Sequence, residues 1–363
     1  MAEADVTYSV DNVPFSSYGV YVSSSEGVIC KPAIKEPLSD DRSWMHGIVY
    51  DLSSLHYKEV QLSLRCFIEA FGYDDYITKA TTFLAAFGAS SGTHTLKVTA
   101  GASTFSIGVL CKDSVDIAKT WNAVKFVGTF TLKLTVPNPS VPVEAAYAGG
   151  TVDANDVTYY LDGHNFNAYG VYVEGSEGIT TLPAIKTPLS QSWGNENGVD
   201  YHTQGVRYKE RVITLKCFME GSGYADLLNK AVAFFGLFAK NGTRRLKLTA
   251  GGKILVYQVF SKDAITLSPD FREPGRCIGM FTLKLIEPEP VKRVLSGGGS
   301  ITIKSPTPVN IYWGDGTCSY EVGGSSESVT VTHQCSGETI ITGEPDDFIS
   351  FSSSSSILWS RLL

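Results

Sequence analysis

At 363 residues the chain is long enough for two or three domains of ordinary size. With 43% hydrophobic and 18% charged residues it is too apolar for a disordered chain, and 18 Tyr, 18 Phe and 35 Gly against 4 Met read as many short strands separated by turns. The net charge of -7 argues against the basic surface that grips nucleic acid through its phosphates.

The opening MAEADVTYSV has no basic region followed by an apolar one, and the longest apolar stretch, Ala231 to Ala239, falls far short of a membrane span. The expectation is a soluble chain, made without a secretory leader and with no membrane partner. From there the sequence repeats itself. Tyr18-Gly-Val-Tyr-Val22 returns as Tyr169-Gly-Val-Tyr-Val173, and Pro32-Ala-Ile-Lys35 as Pro183-Ala-Ile-Lys186, each displaced by 151 positions. Tyr57-Lys-Glu59 with Tyr208-Lys-Glu210, Cys66-Phe67 with Cys217-Phe218, and Phe130-Thr-Leu-Lys-Leu134 with Phe281-Thr-Leu-Lys-Leu285 keep that offset, while Thr99-Ala-Gly101 and Thr249-Ala-Gly251 differ by 150. Collinearity over about 130 residues predicts a tandem duplication of one complete domain, with a period too long for a solenoid.

Each copy reads in the same order. A strand with Gly-Val-Tyr-Val leads through a Pro-rich connection into a polar, Gly-rich loop or hairpin, Asp40 to Leu55 or Gln191 to Val206. An alternating strand follows, in which Val60, Leu62, Leu64, Cys66 and Ile68 share one face; its equivalent is Val212 to Met219. Tyr76, Ile77, Ala80, Phe83, Leu84 and Phe87 then mark a helix, capped by Asp74 or Asp75, and Leu227, Leu228, Ala231, Val232, Phe235 and Phe238 mark its counterpart. Three strands close each copy: Leu96 to Ala100, Ser103 to Lys112 and Lys125 to Val136, with equivalents at Leu246 to Ala250, Ile254 to Ser261 and Gly279 to Ile286.

The predicted fold is therefore mainly β: a β-sandwich with one packed helix, present twice, followed by a small all-β domain. The domains are residues 1–142, a linker at 143–156, residues 157–292, and residues 293–363. The last has Thr/Val/Ser-rich strands at Ser300 to Lys304, Val309 to Trp313, Ser328 to Thr332 and Glu338 to Gly343, ending in Ser352 to Ser356.

Chemistry is hard to assemble. Seven cysteines lie at wide spacings without a C-x-x-C pair, which disfavours zinc and redox roles; Cys318 and Cys335 flank a hairpin, and whether they pair is left open. Six scattered histidines form no H-E-x-x-H, and there is neither a G-x-S-x-G elbow nor a phosphate loop. No catalytic residue, metal or cofactor is expected, and the chain reads as a non-enzyme. Trp313-Gly-Asp-Gly-Thr317 is a strong hairpin turn with Trp313 in the core. The motif also resembles the W-G-D-G-T signature of PKD-like immunoglobulin-type domains of bacterial surface proteins, which implies an adhesive turn at Trp313 and Asp315.

Each repeat resembles the ring-forming domain of distal tail and tail tube proteins of long-tailed bacteriophages. The likeness is carried by Asn165-Phe-Asn-Ala-Tyr-Gly-Val-Tyr-Val173, the Pro/Leu segment entering the long loop, Arg207-Tyr-Lys-Glu-Arg211 leading into Val212-Ile-Thr-Leu-Lys-Cys-Phe218, the helix ending before a Gly, and the closing strands. It covers about 270 residues in order of elements. It implies a structural protein of the virion tail, assembled in the bacterial cytoplasm, in which three chains supply six units of a ring around the DNA channel. The partners implied are further copies in stacked rings, tube, tape-measure and baseplate hub proteins, DNA passing without specific binding, and host-surface glycans at the C-terminal domain. Distal tail proteins normally carry one such domain per chain and form hexamers, whereas fused double domains with a small immunoglobulin-like decoration occur among tube proteins, so the duplication leaves tube and distal tail roles open. Loop residues Trp44, His46, Trp193, Asn195 and Glu196 are the candidate contacts between rings. The alternative is a carbohydrate-binding or adhesive β-protein using Trp44, Trp193 and Trp313 as stacking platforms, the first two at nearly matching places in the loops.

Overall fold

The computed structural model describes residues 6–88, 92–121, 126–145, 147, 157–188, 190–201, 207–251, 253–273 and 275–360. Most of the expected linker at 143–156 lies outside them, as do residues 202–206 of the second loop. The protein is mainly β, with two α-helices among the described residues.

The first repeat comprises β1 (Val6–Val10), β2 (Val13–Pro14), β3 (Val20–Glu26), β4 (Cys30–Lys31), β5 (Ser39–Asp40), β6 (Val49–Tyr50), β7 (Val60–Ala70), α1 (Tyr73–Gly88), β8 (His94–Ala100), β9 (Ser103–Val109), β10 (Ala118–Trp121) and β11 (Phe126–Val136). One sheet has the order β2-β1-β8-β9 and the other β10-β11-β7-β3. The alternation in β7 turns Leu62, Leu64, Cys66, Ile68 and Ala70 into the core. Opposite them on β11 stand Leu134, Leu132 and Phe130, paired with Leu62, Leu64 and Cys66. The α1 stripe covers this layer: the Phe83 ring lies 5.1 Å from Phe15 and 5.6 Å from Phe130. Asp74 and Asp75, expected as caps, lie inside the first turn: the Asp75 carboxylate accepts the backbone N–H of Phe71, ahead of the helix, at 2.9 Å and pairs with Lys79 one turn on at 2.8 Å.

The second repeat comprises β12 (Val157–Leu161), β13 (His164–Asn165), β14 (Val171–Glu177), β15 (Ser190–Gln191), β16 (Asp200–Tyr201), β17 (Arg211–Gly221), α2 (Tyr224–Gly236), β18 (Arg244–Ala250), β19 (Lys253–Val259), β20 (Ile265–Thr266), β21 (Ser268–Glu273) and β22 (Arg276–Glu287). Its sheets, β13-β12-β18-β19 and β14-β17-β22-β21, have the strand order of the first repeat. The register matches too: Ile213, Leu215 and Cys217 oppose Leu285, Leu283 and Phe281. Even the bulge recurs, between Val22 and Ser24 on β3 and between Val173 and Gly175 on β14.

The C-terminal unit begins at β23 (Lys292–Leu295) and continues through β24 (Gly299–Lys304), β25 (Pro308–Tyr312), β26 (Cys318–Gly323), β27 (Val329–His333), β28 (Thr339–Thr342), β29 (Ser350–Ser353) and β30 (Ile357–Ser360). Its sheets, β26-β25-β28-β23-β30 and β27-β24-β29, enclose Ile301, Ile303, Val309, Ile311, Trp313 and Ile341. The unit is fastened to the second repeat by a buried ion cluster, in which Glu287 meets Arg211 at 3.2 Å and Lys292 closer still, all three at most 3% exposed. Lys247 adds a 2.5 Å pair with Glu338.

Candidate functional site: the junction between the repeats

The junction is built mainly from the Pro-rich connection and the loop of the first repeat, two stretches that local propensity leaves irregular. Cys30 and Lys31 leave β3 extended and pair antiparallel with Thr266 and Ile265, so β4 and β20 are strands only because each supplies the other's partner. Lys31 is fully buried: its Nζ donates to the Ser261 carbonyl at 2.7 Å and the Asp263 carbonyl at 3.1 Å, and lies 3.4 Å from Ser261 Oγ. Loss of water pulls this ammonium down to about 8, against the attraction of Asp263 and Cys30, and burial pushes the Cys30 thiol up to about 11. Ile34 and Leu52 bury themselves against Phe260 and Ile286. Elsewhere on the same boundary β3 lies against β21, and Tyr224 Oη meets Ser25 Oγ at 3.3 Å.

The loop Asp40 to Leu55 is a hairpin, with Ser39 opposite Tyr50 and Asp40 opposite Val49. It lies folded onto the second repeat. The Gly47 N–H donates to the Tyr208 carbonyl at 2.8 Å and the Ile48 N–H to the Pro288 carbonyl at 3.0 Å. Gly47 has φ +66°, and a Cβ there would collide with the Pro288 carbonyl oxygen, so glycine is demanded twice over. Tyr50 Oη donates to the Glu210 carboxylate at 2.6 Å; burial first, and then that carboxylate, push the phenol well above its ordinary range. Lys186 closes the tip onto Asp41 at 2.5 Å.

His46 is committed inside the chain. Its Nδ1 accepts the Tyr208 N–H at 3.0 Å, which leaves Nε2 facing Glu344 at 3.1 Å, and its ring stacks on Tyr208 at 5.4 Å. Glu344 also meets Arg207 at 3.3 Å, and Arg207 Nε donates to the Trp44 carbonyl at 2.9 Å. One histidine thus joins the first repeat, the second repeat and the C-terminal unit. Nothing in the local sequence signals this, because Glu344 is almost three hundred positions away.

The indoles of Trp44 and Trp193 stand out at 59% and 52% exposure. They stand at nearly matching places, two positions apart in the matched hairpins. The Met45 N–H donates to the Arg42 carbonyl and the Glu196 N–H to the Trp193 carbonyl, both at 3.2 Å, so Trp193 occupies the place of Arg42 and Asn195 that of Trp44. Asn195 and Glu196 are exposed on the tip of the β15–β16 hairpin. Trp313 is no stacking platform: it is 1% exposed, and its Nε1–H donates to Ser319 Oγ at 2.9 Å. Asp315 sits at the surface of the same turn, accepting the Thr317 N–H at 3.0 Å and facing His333 at 2.6 Å; His333 first, then Thr317, hold its carboxyl well below the usual range. Cys318 and Cys335 are free thiols.

A cleft of about 460 Å³ between the second repeat and this turn is lined by Arg244, Arg245, Lys247, Asp162 and Glu338. Its cations are already engaged: Arg244 with Asp162, Arg245 with the Tyr312 and Trp313 carbonyls, Lys247 with Glu338. Among the described residues no three His, Cys, Asp or Glu side chains gather as metal ligands, and no helix is long and apolar enough to cross a membrane.

No protein-family model matches the chain, and no curated protein matches it. Two solved structures share a loose likeness. One is the SPP1 Dit (gp 19.1) protein, described as a paradigm of hub adsorption apparatus in phages infecting Gram-positive bacteria, at 12% identity and a TM-score of 0.27 over 52% of this chain and 98% of that one. The other is the phage p2 baseplate in its activated conformation with Sr, at 9% identity and a TM-score of 0.24 over 95% of this chain and 99% of that one. Both superpositions are too loose to bear on fold or function.

Proposed function

We propose that this chain is a non-enzymatic structural protein of a tailed-bacteriophage virion, three copies of which form a pseudo-six-fold ring of the tail tube or of the distal tail and baseplate hub. The observation that carries the reading is the junction itself. The first repeat contributes its connection and loop, the second a different surface, so the contact is heterologous; a heterologous contact used again at each end of a chain builds a closed ring or an open filament. The sequence resemblance to phage tail-ring domains supplies the setting, and the two-repeat chain supplies two of six positions. The other partners are stacked rings, tube, tape-measure and hub proteins.

In this reading genomic DNA passes through the lumen unbound, and the net charge of -7 keeps a polyanion from adhering to the wall. The exposed tips that carry Trp44, Trp193, Asn195 and Glu196 meet neighbouring rings, whereas His46 holds the chain together from within. The C-terminal unit decorates the outside and offers the Asp315 turn to host-surface glycans. Electron microscopy of the purified protein tests the reading: class averages should show rings with a central hole and a six-lobed outline made by three chains. Particles without rotational symmetry that score on a glycan array would replace it with an adhesive one.

A further inference from the structure

Duplication allows one interface to be read twice. Residues of the two repeats that meet at the junction have counterparts 150 or 151 positions away in the other repeat, and several of those counterparts are exposed. Tyr224, 6% exposed, meets Ser25; the counterparts are Tyr73, 47% exposed, and the surface residue Ser176. Tyr50 donates to Glu210; the counterparts are Tyr201, 55% exposed, and Glu59, with both residue types kept. Ile34 is 1% exposed and its counterpart Ile185 48%. The strands β4 and β20 likewise have counterparts, Thr181–Leu182 and Val115–Asp116, that form no strand.

One pair has changed in concert. Within the chain the ammonium of Lys31 meets the carbonyl and hydroxyl of Ser261. At the counterpart positions the lysine is Leu182, 56% exposed, and the serine is Cys111. A polar pair inside the chain corresponds to an apolar pair across the open faces. Leucine against cysteine suits an apolar contact, whereas a lysine there would set a charge beside a thiol; the Asp113 carbonyl, counterpart of an acceptor of Lys31, is met by Cys111 Sγ at 3.6 Å.

We propose that a second copy of this chain docks head to tail, its second repeat seating on the first repeat of its neighbour as the first repeat seats on the second within one chain. Tyr201 then donates to Glu59 of the neighbouring chain, Ser176 meets that chain's Tyr73, and Leu182 packs on its Cys111. The hairpin tip is placed by the same logic. Gly198, with φ +92° and open space within the single chain where a Cβ would stand, takes the role of Gly47, and Pro137 of the neighbour takes that of Pro288. This proposal rests on the ring reading and specifies its contact.

A photo-crosslinking amino acid at position 201, in the full chain, should join chains covalently, and peptide mapping should place the link beside Glu59. Leu182→Glu should abolish assembly, leaving only single chains by mass photometry with an unchanged far-ultraviolet spectrum, while Ile349→Glu, on the exposed surface of the C-terminal unit, should assemble as wild type does. Assembled wild-type protein whose links map away from Glu59, or Leu182→Glu that still assembles, overturns this interface and leaves the ring standing. Wild-type protein that stays single-chained overturns both.

Discussion

Lys31→Met separates the burial of the junction lysine from its hydrogen bonds, because methionine keeps the hydrocarbon stem and drops the charge. At neutral pH two effects oppose each other: the Ser261 and Asp263 carbonyls lose their donor, at about 1–3 kcal/mol for each buried acceptor left unmet, while a poorly solvated charge is removed. The pH slope is therefore the diagnostic quantity. Burial brings Lys31 from 10.5 to about 8, so between those values the unfolded chain holds the proton and the folded chain does not. Stability from this residue accordingly rises with pH across that window and is lowest below it, by about 3 kcal/mol in all at about 1.4 kcal/mol per pH unit. Cys30 has the opposite sign: its thiol, raised from 9.0 to about 11, keeps its proton in the folded chain, and stability is lost as pH climbs through that range. The two slopes oppose each other in the wild type. Urea unfolding followed by circular dichroism should show Lys31→Met losing about 2 kcal/mol relative to wild type between about pH 8 and pH 10, and Cys30→Ala gaining over the upper half of that range. Lys31→Met and wild-type curves that stay parallel from neutral to alkaline pH would refute the burial of this lysine and, with it, the β4–β20 pairing.

Other consequences follow from single contacts. Glu287→Gln strands Arg211 and Lys292 as buried cations and should cost about 3–5 kcal/mol, read as a lower urea midpoint. Tyr50→Phe removes one charge-assisted hydrogen bond at the half-buried edge of the junction and should cost about 1 kcal/mol in the same assay. Trp313→Ala empties the largest side-chain site of the C-terminal core and should cost about 3–5 kcal/mol, read as a lower urea midpoint.

The sandwich is legible because its signals are local. Period-two alternation in Val60 to Ile68 and the aromatic stripe of the helices follow from which side chains face the core, and both copies carry them. The junction is not, because its structure is tertiary. Two-residue strands have no period to read, and a lysine in a Pro-rich connection signals solvent until Ser261 and Asp263 close around it. The two loop tryptophans match nearly and not fully for a physical reason. Hairpin register is set by backbone, here by Gly47 and Gly198 with positive φ at equivalent places, and the indoles are free to stand at different positions around it. In the C-terminal unit β26 leaves no clear trace in the sequence because it carries an extra residue between Ser319 and Val322, opposite Ile311 and Val309, and a positive φ at Glu321, which break its alternation. Trp313 is recognisable as a core residue of a tight turn, but its motif alone gives no means of deciding what the surface Asp315 does.

In the proposed ring the chain closes on copies of itself through a repeated heterologous contact. Sedimentation velocity of the full-length protein over a range of concentrations tests it directly. A closed ring predicts a boundary for single chains and one for three-chain particles, with any larger species in multiples of three chains as rings stack. A ladder that grows by single chains would mean that the contact does not close, and a single-chain boundary at every concentration would mean that the open faces belong to something else.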